Sequence, residues 1–256
     1  MSSISGAVGD SRRTIAPQCS QQRHWGVPSR DCERRFYAVN EFSEMRDRSN
    51  LLPYNEPMPA PSLTIAAILL SGGASRRMGR DKTQLIVEGS TLAVRTGELL
   101  ARVAEIAIEV GPGVSGLPSV VESRRGDGPL VAVAAGFAEL LERGHNGAAL
   151  VVACDLPFIS EPLLRLIMDW DTEGSVVPVA HGRAQPLCAR WSRPDLRNAQ
   201  ELVERGVRSL QHLSNQPGAV YLNESDWGPT ASEEQFSDVD SPNDLLRLGL
   251  ADTWSN

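Results

Sequence analysis

The segment Ala66-Ala-Ile-Leu-Leu-Ser-Gly-Gly-Ala-Ser-Arg-Arg-Met-Gly-Arg-Asp-Lys-Thr-Gln-Leu85 decides the fold expected for this chain. The apolar run from Leu63 to Leu70 predicts one buried strand of a parallel sheet, and it ends at Ser71-Gly72-Gly73. Adjacent glycines carry no Cβ, so backbone N–H groups can approach a bulky anion closely. Four basic side chains follow within seven residues: Arg76, Arg77, Arg80 and Lys82. Together these features predict a phosphate-binding loop.

This loop differs from two common phosphate-binding motifs. A P-loop has its lysine directly after the second glycine and then Ser or Thr, whereas Gly79 is followed by Arg80-Asp81-Lys82. The dinucleotide fingerprint Gly-x-Gly-x-x-Gly is not matched by Gly72-Gly73 and Gly79 either. The loop therefore belongs to another class of phosphate site.

The segment resembles the signature that opens the MobA-like nucleotidyltransferases, Leu-x-Gly-Gly-x-Ser-x-Arg-Met-Gly-x-Asp-Lys-x-x-Leu. Ten positions within sixteen residues match: Leu70, Gly72, Gly73, Ser75, Arg77, Met78, Gly79, Asp81, Lys82 and Leu85. The resemblance extends from about Leu63 to Leu248. The guanylyl-transferring members of this family are the molybdenum cofactor guanylyltransferases. It implies a Rossmann-like α/β nucleotidyltransferase fold.

Lys82 is the single lysine among the 25 basic residues of the chain, and the others are all arginine. Such a bias is typical of GC-rich coding, which supplies arginine wherever either cation serves. A lysine kept inside the loop indicates that a compact ammonium, rather than a planar guanidinium, is needed there.

Composition limits the classes of function. The chain of 256 residues has a net charge of −7, which argues against a general nucleic-acid binder. The four cysteines are widely spaced, which suits a reducing cytoplasm, and no apolar run approaches the roughly 20 residues of a membrane span. We therefore expect a cytoplasmic protein that acts on small molecules, without nucleic-acid or membrane partners.

Residues 1–62 differ in composition from the rest. Apolar residues are sparse, no period of 2 or 3.6 persists, and four prolines lie between Pro53 and Pro61. Such a segment buries too little to offset the entropy of ordering, which predicts a disordered extension. A misassigned upstream start is the alternative, because Met58 stands five residues before the first strand. We expect residues 63–256 to form the nucleotidyltransferase domain.

The remaining chain alternates short apolar runs with amphipathic stretches, which predicts alternating strands and helices. The resemblance implies that they form an α/β fold of three layers, a mostly parallel sheet flanked by helices. Further strands are predicted over 85–89, 106–110, 120–121, 148–153, 175–179, 185–191 and 220–222. Helices are predicted over 92–103, 130–141 and 194–203, from 161 onward, over 209–213 and from 242 onward, with caps at Ser90 or Thr91, Ser160 and Ser241.

The second fully apolar strand, 148–153, delivers Cys154-Asp155-Leu156-Pro157. Open α/β sheets build their sites at the carboxyl ends of parallel strands. Since Ser160 is better spaced to cap the next helix, Asp155 is predicted to be a functional carboxylate that holds a divalent cation. Asp238 and Asp240 alternate on an extended segment, so only one of them faces a given side, and entry into the last helix is an equally open role for both.

The resemblance implies an activity and a set of site residues. GMP would pass from GTP to the phosphate of molybdenum-molybdopterin, with Mg²⁺ as cofactor and release of pyrophosphate, and other molybdenum-cofactor proteins are candidate partners. Lys82, Asp155 and Arg77 would be catalytic. Asp155 would bind the metal, with Asp238 or Asp240 as a second ligand. The nucleotide would contact Leu70, Ser71, Gly72, Gly73, Lys82, Glu122, Ser123 and Asp155.

Two alternatives remain open. One is an enzyme of the same fold that transfers a cytidylyl or other nucleotidyl group; the element Gly128-Pro129-Leu130, which resembles a guanylyl-specific stretch, argues against it. The other is a non-catalytic nucleotide-binding accessory module, and the presence of both Lys82 and Asp155 argues against that.

Ser71 stands where the family usually has alanine.

Overall fold

Strands and helices alternate in the computed structural model, which describes residues 65–72, 81–121, 126–214 and 216–250. The strands are β1 (Ala66–Leu70), β2 (Ile86–Val87), β3 (Ser90–Thr91), β4 (Ala107–Val110), β5 (Ser119–Val120), β6 (Ala149–Ala153), β7 (Val176–Ala180), β8 (Arg183–Ala184), β9 (Cys188–Trp191) and β10 (Val220–Leu222). The helices are α1 (Leu92–Val103), α2 (Pro129–Glu142), α3 (Glu161–Asp169), α4 (Arg193–Glu204), α5 (Gln211–Ser214), α6 (Glu224–Trp227) and α7 (Pro242–Arg247). The predictions for residues 1–62 lie outside the described residues, and the limits of the domain, 63–256, stay a prediction.

Eight of these strands form one mainly parallel sheet in the order β10-β7-β9-β6-β1-β4-β5, with β8 paired to β7. Strand β1 pairs in parallel with β4 and β6, and the pairs β4–β5 and β7–β10 are also parallel. Strand β9 is antiparallel to both of its neighbours, β6 and β7. The prediction of a mostly parallel sheet is confirmed.

The centre of the sheet is the pair β1–β6, in which all ten residues are buried. Side chains alternate across a strand, and here Ala66, Ile68 and Leu70 belong to the apolar cluster that contains α2 and α4. Ala67 and Leu69 belong to the cluster that contains α1 and α3. The sheet is therefore covered by helices on both faces, which confirms the three-layer prediction.

The structure corrects some local predictions and decides one that was open, the cap of α1. The strand predicted over 85–89 is a two-residue strand in the antiparallel hairpin β2–β3, which stands apart from the main sheet. Thr91 rather than Ser90 caps α1, because its Oγ1 accepts a hydrogen bond from the Val94 N–H at 3.3 Å. Ser160 occupies the cap position of α3, but its hydroxyl donates to the Gln235 Oε1 at 2.7 Å and does not bond the helix.

Cys154 and Cys188 are buried free thiols. None of the helices in the described part of the chain has the length and apolar character that crossing a membrane requires.

A buried arginine closes the end of α3. Arg190, on β9, is 5% exposed and donates through Nη1 to the carbonyls of Met168 and Trp170, the latter at 3.0 Å. Its Nη2 donates to the carbonyls of Thr172, at 2.6 Å, and Gly174, at 3.3 Å. The last carbonyls of a helix have no partner within it, so one guanidinium satisfies both the helix end and the loop that leads into β7.

Replacing this guanidinium should destabilise the whole domain. Arg190→Met keeps much of the apolar stem but removes the guanidinium donor of four carbonyls, of which that of Trp170 also accepts from the Thr172 N–H at 2.8 Å. We expect a loss on the order of 3 kcal/mol in the free energy of unfolding. Chemical denaturation measures this loss. The control Arg197→Met, at an exposed position on α4, should change stability by less than about 0.5 kcal/mol. An Arg190→Met protein as stable as the control would contradict this role.

Candidate active site

The ends of three parallel strands meet at one edge of the sheet. The Cys154 N–H, just after β6, donates to the Leu70 carbonyl at the end of β1, at 3.0 Å. The N–H groups of Ser71 and Gly72 both donate to the Val110 carbonyl at the end of β4, at 3.1 and 3.3 Å. The pairing of the strands thus places Ser71 beside the segment that carries Asp155.

Lys82 reaches this edge from a short 3-10 helix, Lys82–Gln84. Asp81 begins that helix, since its Oδ1 accepts hydrogen bonds from the Thr83 N–H at 3.0 Å and the Thr83 hydroxyl at 2.8 Å. The Lys82 Nζ donates to the Asp155 Oδ2 and, at 3.3 Å, to the Asp240 Oδ1. The fold therefore joins, in one ion group, residues that are 73 and 158 positions apart.

This ion group is only partly accessible to solvent. The side chains of Lys82 and Asp155 are 15% and 13% exposed, and that of Asp240 is 41% exposed. Burial alone would lower the pKa of the Lys82 ammonium, but the carboxylates of Asp155 and Asp240 raise that pKa above its ordinary value of 10.5. Lys82 therefore stays charged throughout the physiological pH range.

Asp238 and Asp240, which the sequence left as alternative ligands, have different surroundings in the structure. Val239, between them, is buried, and its N–H donates to the Asp155 carbonyl at 3.0 Å. Asp240 contacts Lys82, whereas Asp238 and Asp155 both line one cavity. Partial burial raises the pKa of Asp238, and the carboxylates of Asp155 and Asp240 raise it further. Asp238 thus lies in the electrostatic field of Asp155, and Asp240 shares the Lys82 ammonium with it.

The donor set fits a magnesium ion that is shared with a substrate. Mg²⁺ prefers oxygen ligands and is held in many enzymes by one or two carboxylates together with substrate phosphates and water. Asp155 supplies one such carboxylate, and Asp240 or Asp238 supplies a second. The Lys82 ammonium lies between the carboxylates of Asp155 and Asp240. Within the described ranges, no three His, Cys, Asp or Glu side chains form a complete metal-ligand group. Substrate oxygens would therefore have to complete the shell.

Glu109 is a residue at this edge that the sequence reasoning missed. It lies in β4 and is fully buried, yet its Oε1 accepts hydrogen bonds from the Ser71 hydroxyl at 2.5 Å, the Gly113 N–H at 2.8 Å and the Val114 N–H at 3.1 Å. Its Oε2 accepts from the N–H and the hydroxyl of Ser115, at 2.8 and 2.6 Å. The available signal was a lone acid inside an otherwise apolar strand.

The hydrogen bonds decide the charge of Glu109. Burial by itself would raise the pKa of this carboxyl, but the hydroxyls of Ser115 and Ser71 and the backbone N–H groups outweigh it. The pKa consequently lies below its ordinary value of 4.5. Glu109 is therefore a buried carboxylate anion at neutral pH.

Gly128, which opens α2, has a structural reason to be glycine. Its φ is 107°, in the region that side chains disfavour, and an added Cβ would lie 2.8 Å from the Arg208 carbonyl oxygen. The same carbonyl accepts a hydrogen bond from the Leu130 N–H at 3.2 Å. The Gly128-Pro129-Leu130 element is thus anchored against a later loop, independently of any role in choosing the base.

The remaining predicted nucleotide contacts are only partly described. Leu70 and Ser71 are buried and Gly72 is exposed, so Gly72 offers the accessible backbone of this segment. Four predicted site residues lie outside the described residues: Gly73, Arg77, Glu122 and Ser123. Nucleotide binding by all of these residues stays a prediction.

Comparisons with known proteins point to one family. Residues 67–219 match the family described as MobA-like NTP transferase domain. The chain is 31% identical over 192 residues to a probable molybdenum cofactor guanylyltransferase of Pelotomaculum thermopropionicum, which covers 72% of this chain and 92% of that protein. A protein of the same name from Mycolicibacterium paratuberculosis is 34% identical over 164 residues, 60% of this chain and 82% of that protein.

A solved structure supports the same fold. The molybdopterin-guanine dinucleotide biosynthesis protein A of Archaeoglobus fulgidus superposes with a TM-score of 0.60 over 72% of this chain and 96% of that chain. The two sequences are 19% identical, so this likeness concerns the fold alone.

The Lys82 ammonium lies between two carboxylates, where a metal ion could otherwise bind, so removing it should leave both carboxylates open to a metal ion. In the absence of nucleotide, we expect Lys82→Ala to bind Mn²⁺ at least about tenfold more tightly than wild type. Two unit charges 4 Å apart near a protein surface interact by roughly 4 kcal/mol, so this gain requires only a modest part of that energy. Titration followed by electron paramagnetic resonance measures the affinity. Lys82→Arg, which keeps the charge, should not show the gain, and adding Asp155→Asn to Lys82→Ala should remove it. Equal affinity of Lys82→Ala and wild type would contradict the shared site.

Glu109 should make the stability of the domain sensitive to acid. Because its pKa is lower in the folded chain, the stabilisation is present above pH 4.5 and is lost as the pH falls through the folded pKa. Denaturation curves between about pH 6 and about pH 3.5 should show wild type losing more stability than Glu109→Gln, which has no carboxyl to protonate. Parallel losses in the two proteins would show that folding does not lower the pKa of Glu109.

Proposed function

Because the chain belongs to the family of MobA-like NTP transferase domains, we propose that it transfers GMP from GTP to the phosphate of molybdenum-molybdopterin, giving molybdopterin guanine dinucleotide and pyrophosphate. The names of its relatives support this activity, and guanylyltransfer implies GTP and molybdopterin as substrates. The observation that carries the proposal is the ion group of Lys82, Asp155 and Asp240 at the carboxyl edge of the sheet. A charge-neutralising site for phosphates is the main requirement of phosphoryl and nucleotidyl transfer.

In this reaction an oxygen of the acceptor phosphate attacks the α-phosphorus of GTP. The new phosphorus–oxygen bond forms as the bond to the α,β-bridging oxygen breaks, and the leaving pyrophosphate takes the electron pair. The Lys82 ammonium, which now donates to Asp155 and Asp240, would turn its donors to the phosphate oxygens and stabilise the negative charge that grows on them. Its compact shape suits an approach beside Gly72, where the backbone is exposed.

Asp155 would hold Mg²⁺, with Asp240 or Asp238 as the second carboxylate. When bound, magnesium supplies Lewis-acid stabilisation of the phosphate oxygens. The protein's own contribution is to keep Asp155 in place: the Val239 N–H donates to its carbonyl, and the preceding Cys154 N–H donates to the Leu70 carbonyl. The main chain that carries this carboxylate is thus held on both sides by backbone hydrogen bonds.

A cavity beside Asp155 suits the acceptor. It has a volume of about 310 Å³ and is lined by Asp155, His181, Arg183, Gln185, Asp238 and Arg247, among others. Ligand sites for small molecules begin at roughly this size. The guanidinium groups of Arg183 and Arg247 suit an acceptor that carries a phosphate. A larger groove of about 670 Å³ beside α3 is lined by none of the residues predicted for the site.

We also propose a cytoplasmic location, supported by the buried thiols of Cys154 and Cys188. Other proteins of molybdenum-cofactor metabolism are proposed as partners, on the ground of the chemistry alone.

Turnover with each of the four NTPs separates this function from its alternatives. The wild-type protein with magnesium and molybdopterin should form a dinucleotide fastest from GTP. Faster formation from CTP would assign the chain to cytidylyl transfer, and nucleotide binding without any turnover would assign it to the non-catalytic class.

Asp155→Asn keeps the shape of the side chain and removes its charge, so it should lower kcat by about 10²–10³, the scale of losing one charge-stabilising group. Steady-state kinetics with GTP and molybdopterin measures the loss. The control Asp169→Asn, at an exposed position on α3, should leave kcat unchanged. Near-wild-type turnover by Asp155→Asn would contradict the proposed role of this carboxylate.

A further inference from the structure

The buried carboxylate of Glu109 joins two separate segments of the active-site edge. One is Ser71, the first residue after β1, and the other is the loop that follows β4, through Gly113, Val114 and Ser115. The carboxylate accepts all five hydrogen bonds, and all five donors belong to these two segments.

The segments that Glu109 joins are packed too closely for other arrangements. Gly111 lies against Ser71, and any Cβ at position 111 would overlap the Ser71 Oγ. On the other side, Ser115 is pressed against α1, where a Cβ at Gly97 would lie 2.8 Å from the Ser115 carbonyl oxygen. The end of β1, the loop after β4 and α1 are therefore fixed relative to one another around one carboxylate.

Stability alone gives a poor reason for a charge at this position. Ile108 and Val110, on either side of Glu109 in β4, are fully buried apolar residues. Replacing buried ionic groups by apolar side chains is often neutral or stabilising, because a buried charge loses its hydration. What the carboxylate adds is direction: it turns the Ser71 hydroxyl away from solvent, beside Gly72, whose own N–H donates to the Val110 carbonyl at 3.3 Å.

We propose that Glu109 is a positioning residue for the nucleotide, which acts through Ser71 by fixing the Ser71-Gly72 segment. The proposal rests on the proposed function in one respect, that this segment contacts the nucleotide. In this arrangement the Ser71 hydroxyl is committed to Glu109, so the nucleotide meets Gly72 and the backbone around it rather than a serine side chain.

Two variants test the pair. Ser71→Ala removes one of the five donors and adds no bulk. Glu109→Gln removes the charge, and either orientation of its amide sets an NH₂ group against a backbone N–H, of Gly113 and Val114 or of Ser115. The affinity for Mg·GTP is measured by isothermal titration calorimetry without acceptor, and KM and kcat are measured with molybdopterin.

We expect Ser71→Ala to weaken GTP binding by about threefold to tenfold, up to roughly 1.4 kcal/mol, and to raise KM for GTP alike. The kcat and the KM for molybdopterin should stay within about twofold, since uniform binding, and not the transition state alone, is affected. Glu109→Gln should weaken GTP binding at least as much, and the double variant should bind GTP no more weakly than Glu109→Gln. This non-additivity is the mark of residues that act as one unit.

A merely structural role would lower the melting temperature and leave the GTP affinity of the folded protein unchanged. Unchanged affinity in Ser71→Ala, or strictly additive losses in the double variant, would overturn the positioning role. Should Glu109→Gln not fold, Ser71→Ala alone decides by the same affinity criterion. Wild type that binds GTP but does not guanylylate molybdopterin would overturn the proposed function alone, while the affinity comparison would still decide the positioning role. Absence of nucleotide binding in wild type would overturn both.

Discussion

The in-register pairing of β1 with β6 is the constraint on which the rest of the structure depends. Leu70 pairs with Ala153, so both strands end at the same edge of the sheet. The strands contain no polar side chain, and their ten residues are buried between two layers of helices. Because register shifts of one residue would turn every side chain to the opposite layer, the position of this edge is strongly specified. Ser71 and Asp155 meet there as a direct consequence.

Contacts between opposite charges bring further residues to this edge. Asp155 and Asp240 come from distant segments, and the Lys82 ammonium joins them. Glu109 performs a related task a short way along the edge, where N–H and O–H donors surround a single buried anion. The sheet thus positions the backbone, while a small number of committed polar contacts fix the directions of the groups that would meet a nucleotide and its metal.

Local sequence patterns were sufficient where the structure is local. Apolar runs located β1 and β6, amphipathic spacing located α1 and α4, and the strand end located Asp155 at the edge where Lys82 contacts it. The pattern could not show that β9 lies antiparallel between β6 and β7, since an apolar strand carries no sign of its direction. The pattern marked Glu109 only as a lone acid in an apolar strand, because its donors, Ser71 and the loop after β4, come together only in the fold. The contact of Asp240, and not Asp238, with the Lys82 ammonium likewise appears only in three dimensions.

The central claim is that this edge transfers a nucleotidyl group, and the fate of the α-phosphate of GTP tests it most directly. Wild-type protein is incubated with magnesium, molybdopterin and GTP labelled with ³²P either in the α- or in the γ-phosphate. We expect the α-label in the molybdopterin dinucleotide and the γ-label only in pyrophosphate. Transfer of the γ-label to molybdopterin, or release of the α-label as free GMP without a dinucleotide, would contradict this claim.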